Sequence, residues 1–356
     1  AMFFDTLSIH SQGDTVNTIT GSIDPTPTGL GTIGGNTWTQ NNLLKVFIDA
    51  QQDLVIGGDI IYNSVGIDGT DETGWLTLTG TANVTINQLD TSDAVLDGIG
   101  TLNIVNNIAG GTFTVTGASP ALLDAGQTEK LVLTGVATSH TVLGTVGQSV
   151  SSNSLSVIDA SGLLGSLTMR DLNNIDNADF TFTSGSGLTK VTLTDDDLAA
   201  TPLQNGWTFD FSNAAAGSEF HLAPPAALTV PYGFYAAGPA TAGKLVIDLG
   251  AGTTLYIDKS VDLTDVDLTI LQGLPIVIAD GITVTMTADQ ADGLVMIAGP
   301  DTGVGGFTGQ VNLINLGDNP VDLSGISTDV AGWASLEDDD VTLAPTTDLG
   351  AFDIRL

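Results

Sequence analysis

Hydrophobic and polar positions alternate along this chain in many short runs. Within a run, apolar residues alternate with Thr, Asn, Ser or Asp, and Gly, Asn or Asp stand at its ends, a pattern that predicts β-strands. The repeated unit is an apolar–polar–apolar triplet, which places two apolar side chains on one face of a strand and a polar one on the other. The clearest runs are 45–49, 75–79, 83–87, 101–105, 112–116, 130–134, 154–158, 166–169, 179–183, 190–194, 207–211, 244–248, 254–258, 267–270, 282–286, 310–313 and 341–343.

Helical periodicity is confined to two short stretches, 122–127 and 288–293, and a glycine interrupts or ends each of them. The chain is therefore predicted to be all-β. Gaps of 26, 29, 24, 25 and 29 residues separate prominent triplets, which begin at Leu76, Leu102, Leu131, Leu155, Phe180 and Phe209.

A coil period near 25 residues, with two or three strands per coil, predicts a right-handed β-helix-like solenoid whose coils stack on one another. The abundance of Thr and Asn at polar positions agrees with this, because outward Thr and Asn can form ladders between parallel coils. Two or more β-sandwich domains are the alternative, since sandwiches also consist of short strands separated by turns.

The pattern divides the chain into four predicted segments. Residues 1–42 contain few strand runs and many turn formers, so they are predicted to be an N-terminal cap or linker. Residues 43–212 form the first half of the solenoid and 244–356 the second half. Between them, residues 213–243 are rich in Pro, Gly and Tyr and are predicted to interrupt the stack.

Charge narrows the class of protein. The chain has 41 acidic and 7 basic residues, a formal charge of −34, yet 42% of its residues are hydrophobic, which favours a folded protein over a disordered one. Such a charge disfavours nucleic acid and anionic lipid as partners and attracts divalent cations. We therefore expect Ca²⁺ to act as a structural stabiliser; adaptation to high salt is the alternative explanation.

Other features of the composition restrict the possibilities further. The absence of cysteine excludes disulfides, thiolate metal sites and cysteine catalysis. No apolar run is long enough to form a membrane helix, so direct membrane insertion is not expected. Residues 1–5 lack the basic start and apolar stretch of a signal peptide, and the chain is predicted to be a fragment of a longer protein.

Two segments, 248–258 and 281–293, combine a Thr-rich strand with Asp- and Gly-rich turns, and Leu-Thr-Gly endings occur at Leu78 and Leu133. In these features the chain resembles bacterial β-strand-repeat secreted surface proteins, which include adhesins and S-layer-like proteins associated with type I secretion. The resemblance implies a structural or adhesive role at the bacterial cell surface. The chain departs from that family because it lacks the Gly-Gly-x-Gly-x-Asp nonapeptide, so the family's Ca²⁺ rolls are carried over to no position.

Acidic runs next to predicted strands are the candidate metal ligands. Ca²⁺ prefers carboxylate and carbonyl oxygens at alternating loop positions, and these runs offer them. Solvated acidic turns on an acidic protein are the alternative, because none of the runs has EF-hand spacing. The candidate ligands are Asp68, Asp71, Glu72, Asp195, Asp196, Asp197, Glu337, Asp338, Asp339 and Asp340.

Candidate catalytic groups are sparse. Arg170 lies among Asp171, Asp176 and Asp179, an arrangement that could serve polysaccharide cleavage or merely neutralise crowded carboxylates. The three histidines, at positions 10, 140 and 221, are far apart in the sequence and predict no metal site or triad. Four aromatic residues could stack on sugars or pack in the core; they are Trp207, Tyr232, Phe234 and Tyr235.

These observations predict a non-enzymatic extracellular module, structural or adhesive, of a larger bacterial surface protein of S-layer, adhesin or matrix type. Ca²⁺ is expected to stabilise it, and the expected partners are further copies, the parent protein and cell-surface polysaccharide. The alternatives are a carbohydrate-active β-helix, such as a polysaccharide lyase or depolymerase, and a Ca²⁺-dependent glycan-binding module.

Overall fold

The architecture comes from a computed structural model, and it consists almost entirely of parallel β-strands. It falls into two compact units, residues 1–191 and 192–356, which are treated separately below. The described residues are 6–23, 32–33, 36–37, 43–62, 72–91, 99–116, 123–124, 128–147, 155–173, 180–194, 207–223, 234–235, 245–250, 252–264, 268, 271–299, 309–316, 321–327, 330–336 and 353–355.

The first unit is a stack of coils, and each coil contributes one strand to each of two parallel sheets. Sheet 1 contains, in spatial order, β1 (Thr6–Ser11), β5 (Lys45–Ala50), β7 (Thr73–Gly80), β9 (Thr101–Ile108), β12 (Lys130–Gly135), β14 (Val157–Leu163) and β16 (Thr181–Thr183). Sheet 2 contains β2 (Asn17–Ile19), β6 (Leu54–Ile61), β8 (Val84–Asp90), β10 (Thr112–Val115), β13 (His140–Gly147), β15 (Ser166–Asn173) and β17 (Thr189–Leu193). Two short additions are the antiparallel pair β3 (Thr32–Ile33) and β4 (Asn36–Thr37), and β11 (Leu123–Asp124), which pairs with β8 and β13.

The register of sheet 1 shows the length of a coil. Lys45 pairs with Trp75, Trp75 with Asn103, and Asn103 with Val132, so equivalent positions are 30, 28 and 29 residues apart. The predicted all-β, solenoid-like fold is confirmed. The sandwich alternative is wrong, because strands of a sandwich pair antiparallel whereas these strands pair in parallel with the next coil.

Period-two alternation builds the core. In sheet 1 the inward ladder Val46–Leu76–Ile104–Leu133 runs through four consecutive coils, and all four side chains are buried. In sheet 2 the equivalent ladder runs Ile56–Ile86–Val115–Leu143–Met169, also buried. The core is therefore a narrow strip of aliphatic side chains between two sheets, and it grows coil by coil.

Polar side chains join neighbouring coils at their margins. The Asn83 backbone N–H and its Nδ2 both donate to Asp53 Oδ1, at 2.9 and 3.2 Å, and Asn83 Oδ1 accepts from the Thr112 N–H at 2.9 Å. Each side chain thus satisfies backbone or amide groups of the next coil. These contacts confirm the expectation that polar residues form ladders along the stack.

The second unit is also built from parallel pairs, together with one short helix. Its sheets run β18 (Trp207–Asp210), β21 (Leu245–Asp248), β20 (Phe234–Tyr235); then β19 (Glu219–Leu222), β22 (Thr254–Ile257), β24 (Pro275–Ile278), β26 (Val295–Ala298); and β23 (Val261–Asp262), β25 (Thr283–Thr287), β27 (Gln310–Leu316), β28 (Ala331–Leu336), β29 (Asp353–Arg355). Helix α1 (Ala288–Ala291) has a capping box between Thr287 and Gln290. Phe220 lies in the core, with ring centroids 4.9 Å from Phe209 and 5.6 Å from Phe211.

The structure differs from the predicted elements in several places. The helical turn predicted at 288–293 is confirmed by α1, but the one predicted at 122–127 is wrong where it is described, because Leu123–Asp124 form a strand. Strands β6, β13, β19, β24 and β26 were not among the clearest runs, since glycines or a proline obscure the alternation in several of them. Within 1–42, β1 and β2 pair with β5 and β6; within 213–243, β19 and β20 pair with β22 and β21. The run predicted at 341–343 lies outside the described residues, as does most of 267–270.

Candidate functional site

Nine of the ten predicted calcium ligands lie outside the described residues. The tenth, Glu72, directly precedes β7; it is partly buried, and its backbone carbonyl accepts the Thr101 N–H at 3.1 Å. Among the described residues, no group of three or more histidine or acidic side chains is arranged to hold a metal ion. The positions outside the described residues are Asp68, Asp71, Asp195, Asp196, Asp197, Glu337, Asp338, Asp339 and Asp340.

The arginine cluster is only partly described. Arg170 is exposed on β15, and its neighbour Asp171 accepts a hydrogen bond at Oδ2 from Thr145 Oγ1 on the adjacent strand, at 3.0 Å. Asp176 and Asp179 lie outside the described residues. The described part of this cluster is thus another polar link between coils.

An ion pair links two coils in sheet 1. Lys130 Nζ lies 3.2 Å from Asp159 Oδ2, and Asp159 Oδ1 accepts from the Ser161 hydroxyl at 2.6 Å. The Ser161 hydroxyl first, and then Lys130, hold the pKa of Asp159 below its ordinary value although partial burial opposes them. A depressed carboxyl pKa stabilises the fold above the ordinary range for aspartate, and that contribution is lost as the pH falls through the folded value. The pair is part-exposed, so its contribution is small.

Two histidines make local contacts between coils. His10 Nδ1 lies 3.6 Å from Asp49 Oδ2 on the adjacent strand, and His140 Nδ1 lies 2.7 Å from Ser166 Oγ. His10 and His140 belong to different sheets of the first unit, as expected from their separation in sequence.

His221 makes the most organised polar contacts of the second unit. Its Nδ1 lies 2.7 Å from Asp258 Oδ2 and its Nε2 lies 3.0 Å from Glu219 Oε2. The imidazole also stacks on Tyr256, with centroids 4.2 Å apart and planes 8° from parallel. Carboxylates only accept hydrogen bonds, so an imidazolium that donates from both nitrogens satisfies this geometry. Because both nitrogens are engaged, the arrangement acts as a link between β19 and β22.

The predicted sugar-stacking aromatics are placed differently from one another. Trp207 is buried in the core of the second unit, so it does not offer its ring to a ligand. Phe234 and Tyr235 form β20, which pairs with β21, and Tyr232 lies outside the described residues.

The first coil leaves part of its core side uncovered. Leu7 and Ile9 of β1 are in register with the buried Val46 and Ile48 but are themselves only half-buried. On sheet 2, Ile19 and Ile23 are likewise half-buried, although their partners Ile56 and Ile60 are fully buried. We call the surface formed by these four first-coil residues, Leu7, Ile9, Ile19 and Ile23, the end face. Within the described part of the chain, no strand pairs with the outer edges of β1 and β2.

The end face was not predicted from the sequence, because the turn formers of 1–42 outweigh the strand runs there. The signal that could have found it is the alternation Thr6-Leu7-Ser8-Ile9-His10, which matches the strands of the later coils.

Within the described residues, no helix is long and apolar enough to cross a membrane. Comparison of the chain with protein-family models, curated proteins and solved structures finds no significant match.

Proposed function

We propose that this chain is a structural and adhesive module of an extracellular bacterial surface protein, and that it associates with further copies of itself. The observation that best supports the proposal is the end face. Every interior coil buries its apolar strip against the next coil and pairs its strand edges with it. The first coil presents the same kind of strip and the same kind of edge, with its apolar side chains half-buried.

The end face is suited to contact with another coil for two reasons. Half-buried Leu and Ile side chains gain about 25 cal/mol for each Å² of apolar surface that a partner covers. The outer edges of β1 and β2 offer backbone donors and acceptors, which an added parallel strand can pair with. The extracellular bacterial location rests on the composition and on the resemblance described above.

Ile9→Asp is the variant that tests association through the end face. It places a carboxylate on the surface that a second copy would cover, so we expect self-association to weaken by at least tenfold, since an unpaired charge at an interface is costly. Sedimentation velocity over a protein concentration series, in the presence of CaCl₂, measures the effect.

Ser8→Asp is the matched control. It adds the same charge to the same strand, but Ser8 is exposed and in register with Phe47 on the outward side. Ser8→Asp should therefore associate like the wild type. A wild-type chain that stays monomeric at every concentration, or an Ile9→Asp variant that associates normally, would contradict the proposal.

Cations should stabilise the fold because they screen its charge. With a net charge of −34, mutual repulsion of carboxylates opposes the compact state, and added salt reduces it. We expect NaCl to raise the melting temperature, and CaCl₂ to raise it further at the same ionic strength, by a few degrees for each kcal/mol of added stability. Differential scanning calorimetry with matched ionic strengths, and with EGTA as the reversal, separates screening from specific binding. Equal effects of the two salts would remove the calcium part of the proposal.

A further inference from the structure

Two aromatic side chains stand on the outside of the first unit. Phe47 is 43% exposed and Trp75 is 39% exposed, and they are the aromatic members of the exposed large hydrophobic residues in the described part of the chain. Their strand neighbours Val46, Ile48 and Leu76 are completely or almost completely buried, so the core already has its apolar residues and the two rings are additional to it.

The register puts both rings on one patch of sheet 1. Phe47 of β5 is opposite Thr77 of β7, and Trp75 is opposite Lys45, so the two aromatic residues are diagonal neighbours on the outward face. Diagonal neighbours on one face have Cα atoms roughly 7–8 Å apart, which lets one extended ligand contact both.

Small polar residues surround the rings. Ser8 is next to Phe47 in its row, and Asn103 is next to Trp75 in the adjacent row. Together with Thr77 and Lys45, they place hydroxyl, amide and ammonium groups around an apolar centre. We call Phe47, Trp75 and these four polar neighbours the aromatic platform.

We propose that the aromatic platform binds a neutral polysaccharide. The face of an aromatic ring is electron-rich and attracts the polarised C–H groups on the apolar side of a sugar ring. The sugar hydroxyls, which lie around that apolar side, can then exchange hydrogen bonds with the hydroxyl and amide groups of the platform.

The charge of the chain selects a neutral ligand. Nucleic acid bases also stack on aromatic rings, but their phosphates are repelled by a chain with 41 acidic and 7 basic residues, and acidic polysaccharides are repelled for the same reason. A second copy is disfavoured as well. Two rings exposed to this degree offer roughly 200 Å², whereas a stable protein interface buries roughly 800 Å² on each partner.

This inference names a ligand for the adhesive role, and it rests on the proposed function only in that respect, because the platform and the end face are formed by different residues. Self-association of the wild type can fail while glycan binding is found, and the reverse is equally possible. The two tests therefore give separate answers.

Affinity gel electrophoresis provides the test, because the acidic chain migrates freely and a neutral polymer cast in the gel retards it only by binding. The neutral probes are dextran, galactomannan, xyloglucan and mixed-linkage β-glucan; alginate and hyaluronan are the acidic ones. We expect at least one neutral polymer to retard the wild type, and the Phe47→Ala/Trp75→Ala double variant to lose roughly tenfold or more in affinity. Trp75→Phe should keep part of the binding.

Leu188→Ala is the matched control, since Leu188 is an apolar side chain, 52% exposed, that lies outside the platform. It should bind like the wild type, and thermal melting should show that all variants are folded. The proposal is overturned if no neutral polymer retards the wild type, if the double variant binds undiminished, or if the acidic polymers bind as well as the neutral ones. It is also overturned if no glycan binds and the double variant instead changes the sedimentation of the chain, because the rings would then be a protein interface.

Discussion

Gly80→Ala is expected to destabilise the first unit by about 3 kcal/mol or more, while Gly110→Ala costs only about 1 kcal/mol. Both glycines have a positive φ, +107° at Gly80 and +77° at Gly110, so an alanine is conformationally strained at either position. The difference lies in the space around them. A Cβ at Gly80 would be 2.1 Å from the carbonyl oxygen of Ala50, whereas a Cβ at Gly110 would have no atom within 4 Å.

The Ala50 carbonyl cannot easily move to make room for the new methyl group. It accepts hydrogen bonds from the Thr81 N–H at 2.9 Å and the Ala82 N–H at 3.1 Å, and these bonds connect consecutive coils. Moving this carbonyl would therefore weaken the junction between two coils, in addition to the cost of the strained backbone.

Urea denaturation followed by far-UV circular dichroism measures both variants against the wild type. The comparison isolates the steric term, because the two substitutions share the same chemistry and the same region of φ. Equal losses in the two variants would show that backbone strain alone determines the cost, and that the coil junction at Ala50 is looser than the structure indicates.

The Leu-Thr-Gly endings illustrate what the sequence could predict. The endings at Leu78 and Leu133 were identified as recurring signals, and the structure places their glycines, Gly80 and Gly135, where consecutive coils approach closely. A Cβ at Gly135 would be 2.3 Å from the carbonyl oxygen of Asn106. The recurrence therefore has a steric reason, but the sequence alone does not distinguish these glycines from the unobstructed Gly110.

The fold was predictable because the interior of a coil stack depends on local alternation. Each apolar–polar–apolar triplet specifies which side of the strand is buried, and stacking needs only the repeat of that triplet at the coil length. The triplet starts were less accurate than the period: Leu102 and Leu131 do stack, but Leu76 stacks on Ile104 and Leu131 on Ile158. A triplet does not show which of its residues is in register with the next coil.

The aromatic platform and the end face were harder to predict, since both depend on register. Trp75 begins a clear strand run, but its outward position becomes visible only when Leu76 and Leu78 are known to be buried. Trp207 begins a similar run and is buried instead. Two tryptophans with similar local sequences thus have opposite exposure, because the inward side of a strand is set by the neighbouring coils.

Tyr62→Phe is expected to protect the first unit against alkaline unfolding. The Tyr62 side chain is fully buried, and its ring occupies the space beside Gly74, where an added Cβ would lie 3.1 Å from Tyr62 Cδ1. Burial raises the pKa of Tyr62 far above its ordinary value of about 10, because the phenolate would lose its hydration. The folded state therefore retains the phenol proton that the unfolded chain releases.

The sign of the pH dependence follows from this raised pKa. The contribution of the neutral phenol is fully present below the unfolded pKa of about 10, and stability falls above it by up to about 1.4 kcal/mol for each pH unit. Between pH 10 and 12 the wild type should therefore lose up to about 2.7 kcal/mol that the variant keeps. At pH 7 the variant should differ by less than about 1 kcal/mol, since it retains the ring and loses one long hydrogen bond, 3.3 Å from the Tyr62 hydroxyl to the Trp75 carbonyl.

Urea titrations at several pH values between 7 and 12 give the free energy of unfolding of the wild type and of Tyr62→Phe. Tyr256→Phe is the control, because Tyr256 belongs to the second unit and is only partly buried; it should leave the alkaline loss of the first unit unchanged. Parallel pH curves for the wild type and Tyr62→Phe would mean that the phenol reaches water in the folded state. The first coils would then open at high pH, and a rigid, closed core could not be maintained at the position where Tyr62 packs beneath the Trp75 strand.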